Sequence, residues 1–159
     1  MTNKKRLAIL LATLFLLALI TPASQVAAQS CVQPPSGMVS WWKAEGNAND
    51  SAGINHGTLQ NGATFATGKV GQAFSLNGSS YVSVPSASNL DFTNSLTIEG
   101  WVNLSTNNSN NGLVFKGALT NSQGVYSLLS VNDRMFFRLN GATDLWANTP
   151  LTVGQWYHV

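Results

Sequence analysis

Short runs of alternating apolar and polar residues dominate this chain, and helical periodicity is scarce. No segment of about a dozen residues keeps an apolar face at i, i+3, i+4 and i+7 without an interrupting Gly or Asn cluster. The alternating runs are rich in β-branched or aromatic residues and end at turn-forming residues, which predicts strands. They cover residues 38–43, 73–76, 81–84, 96–103, 113–116, 125–131, 135–139 and 156–159. Closely spaced short strands of this kind predict an all-β sandwich or barrel.

Two turn signals add detail to this pattern. Asn132-Asp133-Arg134 predicts a tight turn, so residues 125–139 are expected to form a hairpin. Asn77-Gly78 predicts a second hairpin, because a type I′ turn needs positive φ at both central residues.

The first 28 residues have the pattern of a cleaved secretory signal peptide. Lys4-Lys5-Arg6 precede an uncharged run of 14 residues, 7–20, which is too short to span a ~30 Å hydrocarbon core comfortably. Val26-Ala27-Ala28 supplies small residues for cleavage after Ala28, and residues 29–37 follow as a leader or linker. The alternative is a single N-terminal membrane anchor. A lipoprotein would need a better small-residue box before Cys31 than Ala28-Gln29-Ser30.

Loss of the leader changes the charge balance. Three of the eight basic residues lie in it, so five remain against six acidic residues, a net charge of −1. No basic patch is then left to indicate nucleic acid or an anionic membrane as a partner. Cys31 is the only cysteine, so no intrachain disulfide can form. It either pairs with a cysteine on another chain or segment, or remains an unpaired thiol in the leader.

Five segments, in order, resemble the laminin-G-like (concanavalin A-like) jelly-roll domains of secreted proteins. They are residues 39–51, 53–59, 68–78, 81–85 with 96–102, and 154–159. The resemblance implies an antiparallel two-sheet β-sandwich over residues 38–159. Because the family continues past its Trp-Tyr-His-Val segment with further strands, we expect a partial, C-terminally truncated domain from a longer multidomain chain. Most of the five tryptophans are expected to pack in its core, and Trp101 and Trp156 would each bury a large apolar area if they point inward.

The same resemblance points to calcium on the loop after the first aromatic strand, with Asp50 as its anchor. Glu45, Asn47 and Asn55 bring further oxygens into this short segment, and calcium prefers hard oxygen ligands in a flexible shell. The alternative is a hydrogen-bonded turn in which Asp50 accepts from nearby backbone amides.

Catalysis is not expected within this segment. Related glucanases carry a Glu-x-Asp-x-x-Glu strand, and no two of the six acidic residues here lie at i, i+2. Neither histidine, His56 or His158, is accompanied by a nucleophile or zinc motif.

The resemblance therefore indicates a secreted, extracellular binding or adhesion module. Carbohydrate is the first expected ligand and protein the second, because aromatic faces can stack on sugar rings. Tyr81, Tyr126 and Trp146 are the candidate contacts on an exposed face. The alternatives are an accessory domain of a larger extracellular hydrolase and a structural spacer.

Overall fold

The computed structural model describes residues 34–92, 95–106, 111–117, 126–139 and 143–159. The signal-peptide prediction and Cys31 lie outside these residues. No helix in the described part of the chain has the length and hydropathy to span a membrane.

All the described ladders are antiparallel, as the alternating pattern predicts. The strands are β1 (Thr58–Gln60), β2 (Thr64–Thr67), β3 (Gln72–Ser75), β4 (Tyr81–Ser83), β5 (Trp101–Asn103), β6 (Asn111–Lys116), β7 (Tyr126–Val131), β8 (Arg134–Leu139), β9 (Thr143–Pro150) and β10 (Trp156–His158). A short 3-10 helix, Ser88–Leu90, follows β4. The pairs β1–β4, β2–β3 and β5–β10 form two-stranded ladders, and β6–β7–β8–β9 form a four-stranded sheet. The fold is all-β, in agreement with a concanavalin A-like β-sandwich.

The predicted hairpin at residues 125–139 is confirmed as β7 and β8. Val131 pairs with Arg134, and Asn132 and Asp133 adopt φ of 46° and 66° between them. Asn and Asp tolerate this left-handed region better than most residues, which is why the turn signal succeeded.

The core lies between the four-stranded sheet and the β5–β10 ladder. Leu104, Met135 and Leu151 are its buried centre, and Leu128 and Tyr157 pack against them. Side chains alternate along a strand, so the neighbours of these core residues point away from the core. Each of the two sheets therefore has an outer face, and the two outer faces lie on opposite sides of the core.

Several parts of the strand prediction are wrong. Residues 38–43 form only an isolated bridge, Trp42 to Asp50, and no strand. The backbone amide of Trp41 donates to the Asp50 carboxylate and so is not available to a neighbouring strand. Asn77-Gly78 is not the turn of a hairpin, since the strands on either side of it do not pair with each other: β3 pairs with β2 and β4 pairs with β1. Strands β1, β2 and β9 were missed. β1 and β2 have only three and four residues, too few to show a pattern, and the β9 sequence Thr-Asp-Leu-Trp-Ala-Asn-Thr-Pro has no clean alternation.

Candidate functional site

The Asp50 carboxylate organises the first loop of the described chain. Its Oδ1 accepts from the backbone amides of Trp41 (2.8 Å), Ala52 (3.0 Å) and Gly53 (3.0 Å). Its Oδ2 accepts from the amide of Asn55 at 3.1 Å. Asp50 is only 5% exposed, so these four donors replace the water that an exposed carboxylate would bind.

Charge-assisted hydrogen bonding dominates the ionisation of this carboxyl. Burial by itself would raise the pKa of Asp50, but backbone hydrogen bonds from Trp41, Ala52 and Asn55 and a side-chain bond from Ser40 outweigh it. Together they lower the pKa from 3.8 to about 2. The loop therefore holds a carboxylate that stays ionised at any physiological pH.

The other three predicted calcium ligands are also engaged in hydrogen bonds. Glu45 Oε1 accepts from the amide of Gln72 at 3.1 Å, and Asn47 Oδ1 accepts from that of Asn49 at 2.9 Å. The side-chain amide of Asn55 donates to Ser40 Oγ at 2.7 Å. Asp50 accepts four N–H groups, three at Oδ1 and one at Oδ2, and Asn55 is held through its NH₂ group and not its oxygen. In this structure the loop is thus stabilised by its own hydrogen bonds, and calcium stays a prediction of the family resemblance.

The three predicted ligand-contacting aromatics lie in different environments. Tyr81, on β4, is 50% exposed, and Trp146, on β9, is 51% exposed, as a surface contact requires. Tyr126 is 6% exposed and packs its ring against Phe92 at a centroid distance of 5.9 Å. Burial and the nearby Asp91 carboxylate raise the pKa of the Tyr126 phenol. The expectation that Tyr126 lies on an exposed face is therefore wrong, because its strand is covered at that point.

Trp146 is part of a mixed aromatic and charged surface on the outer face of the four-stranded sheet. It pairs in register with Phe136, and their ring centroids lie 4.7 Å apart at 57°. The next cross-strand pair on the same face is Arg138 with Asp144, joined by two hydrogen bonds, Nε to Oδ1 at 2.8 Å and Nη2 to Oδ2 at 3.0 Å. We call these four residues the Trp146 platform.

The platform holds its polar groups in a fixed geometry. The Arg138 guanidinium carbon lies 5.2 Å from the centroid of Phe136, which is buried beneath it and Trp146. The hydrogen bond from Arg138 lowers the pKa of Asp144, and Asp144 in turn raises that of Arg138. A half-exposed indole beside oriented donors and acceptors can bind a ring that has one apolar face and a rim of hydroxyls.

Sequence reasoning missed most of this arrangement. Arg138 and Asp144 are six residues apart on two strands, and only the register of β8 with β9 brings them together. Trp101 does not point inward and is an exception to the core packing expected of most tryptophans. Trp101 is 46% exposed, with His158 at a centroid distance of 5.1 Å and Lys69 Nζ at 5.6 Å. The alternation along β5 could have predicted this exposure, since it places Trp101 on the opposite face of the strand from Val102 and Leu104.

Comparison with known families identifies the class of protein. Residues 76–159, 84 of the 159 residues, match the family described as the concanavalin A-like lectin/glucanases superfamily. The chain belongs to this superfamily, and the sequence-based resemblance is confirmed over that range. Searches of curated proteins and of solved structures found no match.

Proposed function

We propose that this protein is a secreted, non-catalytic module that binds carbohydrate through the Trp146 platform. The observation that carries the proposal is the half-exposed Trp146 ring beside the Arg138–Asp144 pair. The superfamily supports a binding role, and the leader pattern of residues 1–28 supports export.

The geometry of the platform favours a sugar over a purely apolar ligand. Stacking on the indole buries one face of a pyranose ring, while the hydroxyls at its edge exchange hydrogen bonds with a guanidinium and a carboxylate. Both charged groups are about half exposed, at 47% and 44%, so a ligand can reach them without unfolding the sheet.

A glycan array probed with the full chain tests the proposal. The ligand it finds is then titrated against Trp146→Ala, with Leu145→Ala as a matched control. Leu145 is the adjacent residue on the same strand, is exposed and apolar, and faces the opposite side of the sheet. We expect Trp146→Ala to weaken binding at least about tenfold, equivalent to ~1.4 kcal/mol, and Leu145→Ala to change it less than about twofold.

Each result decides one part of the proposal. Equal affinities for the two variants would remove the platform as the binding surface. Absence of any glycan binding by the wild-type chain would overturn the carbohydrate proposal and leave a protein ligand or a spacer role. Hydrolysis products in the wild-type titration would overturn the non-catalytic assignment. Urea unfolding of each variant confirms that the comparison is made between folded proteins.

A further inference from the structure

A second candidate site lies on the outer face of the β5–β10 ladder. The β2–β3 hairpin lies beside part of this face, and a half-open cleft of about 270 Å³ lies between them. The lining residues with polar or aromatic side chains are Thr67, Phe74, Ser75, Asn103, Ser105 and Trp156. Small-molecule pockets begin at roughly 300 Å³, so this cleft suits one monosaccharide unit rather than a long chain.

Strand alternation explains why Asn103 and Trp156 face the cleft. Val102 pairs with Tyr157, and Tyr157 packs against the core. Asn103 pairs with Trp156, so both point to the opposite side, where the hairpin lies. The ladder register therefore places Asn103 and Trp156 in the cleft, and the β2–β3 hairpin forms its other wall.

The chemistry of the lining selects an uncharged ligand. It combines the indole of Trp156 with hydroxyl groups and one carboxamide, and none of the described lining residues is ionisable. An anionic ligand would lose its hydration without gaining a counter-charge, which makes its burial costly. A neutral sugar unit has both an apolar ring face and hydroxyls that can pair with these groups.

We propose that this cleft is a second carbohydrate site, specific for one neutral sugar unit, with Trp156 and Asn103 as its principal contacts. The inference rests on the proposed function, because it assigns a second site to the same kind of ligand. Phe136 of the platform and Trp156 of the cleft flank the core from opposite sides, since their neighbours Met135 and Tyr157 both pack into it. One molecule can thus bridge two glycan chains.

The five tryptophans give each site its own reporter. Indole N–H signals of the ¹⁵N-labelled full chain, assigned by single Trp→Phe variants, are followed during titration with cellohexaose, mannohexaose and xylohexaose. We expect the Trp146 and Trp156 signals to shift along two separate saturation curves with at least one of these probes. The Trp42 signal serves as the internal control, because its Nε1 donates to the backbone oxygen of Asn55 at 2.7 Å.

Two variants assign the second curve to the cleft. Asn103→Ala should weaken the Trp156 titration at least tenfold and leave the Trp146 titration unchanged. Ser105→Ala, outside the β5–β10 ladder, provides the same test if Asn103→Ala disturbs the strand. A shift of the Trp146 signal without the Trp156 signal, or a Trp156 curve insensitive to both variants, would overturn the assignment of the cleft as a sugar site and leave the proposed function standing. If neither signal moves with any probe and the array is also negative, both proposals fail.

Discussion

Asp50→Asn tests whether a single buried carboxylate holds the first loop together. The substitution keeps the size of the side chain but removes its charge and replaces one acceptor oxygen with an NH₂ group. If the remaining oxygen keeps its bonds to Trp41, Ala52 and Gly53, the new NH₂ group faces the N–H of Asn55, where Oδ2 now accepts at 3.1 Å. One buried donor then loses its partner.

The expected loss follows from these contacts. An orphaned buried N–H costs about 1–3 kcal/mol, and hydrogen bonds to a neutral amide are roughly half as strong as those to a carboxylate. We therefore expect the free energy of unfolding to fall by about 3 kcal/mol at neutral pH. The buried position of Asp50, 5% exposed, justifies using values for buried groups.

The pH dependence provides an independent check of the sign. The pKa of Asp50 is lowered on folding from 3.8 to about 2, so its ionised form stabilises the folded state above pH 3.8. That stabilisation, at most roughly 2 kcal/mol, is lost as the pH falls through about 2. The difference between wild type and Asp50→Asn should therefore shrink on acidification and not grow.

Urea unfolding at pH 7, 4 and 2.5 measures both effects. Glu99→Gln is the matched control, because Glu99 is an exposed carboxyl and its change should stay within about 0.5 kcal/mol. An Asp50→Asn variant as stable as wild type at pH 7, or a difference that is independent of pH, would refute the role assigned to this carboxylate.

Three further predictions concern the same fold. Gly71→Ala should lower the free energy of unfolding by about 2 kcal/mol or more, because Gly71 has φ of +58° and an added Cβ would collide with the Glu45 carboxylate. Gly62→Ala is the control, since Gly62 has φ of +78° but open space around the Cβ, and it should lower the free energy of unfolding less in the same urea assay. Ser130→Ala should be neutral or stabilising by up to about 1 kcal/mol, because its fully buried hydroxyl has no partner in the described structure; a clear loss in calorimetry would show that the hydroxyl is paired. Millimolar calcium should leave the melting temperature equal to that in EDTA if the loop is closed by hydrogen bonds alone, because backbone amides already bond to both Asp50 oxygens; a higher temperature in calcium would instead support the metal site expected from the resemblance.

The strand content could be predicted from the sequence wherever alternation and turn chemistry agree. The β7–β8 hairpin is such a case, since both turn residues accept positive φ. The Asn77-Gly78 signal failed because the Asn77 side chain closes its own turn, accepting from the amides of Ser79 and Ser80 at 3.1 and 2.9 Å. A short motif cannot show whether the strands that flank it will pair with each other or with more distant partners.

The candidate sites were predictable only in part. Exposure of Trp146 was expected, but its neighbours Phe136, Arg138 and Asp144 come from the register of two strands, one of which the pattern did not show. Asp50 accepts the backbone hydrogen bonds of the turn that was one of the two alternatives, and its role as a calcium anchor stays a prediction. Predicting the cleft would have required both the alternation of β5 and β10 and the location of the β2–β3 hairpin. No local sequence pattern shows where that hairpin lies.

The tip of the Asp50 loop, residues 52–54, can tolerate sequence change because of the way in which Asp50 closes the loop. The carboxylate bonds to backbone N–H groups, which every residue except proline provides, so the side chains of Ala52 and Ile54 take no part in the closure. Both side chains are exposed, and only Gly53 is constrained, because an added Cβ would lie 2.9 Å from Asp50 Oδ2. The tip can therefore diversify freely in evolution, and it offers a position for displaying grafted peptides on a fixed carboxylate anchor.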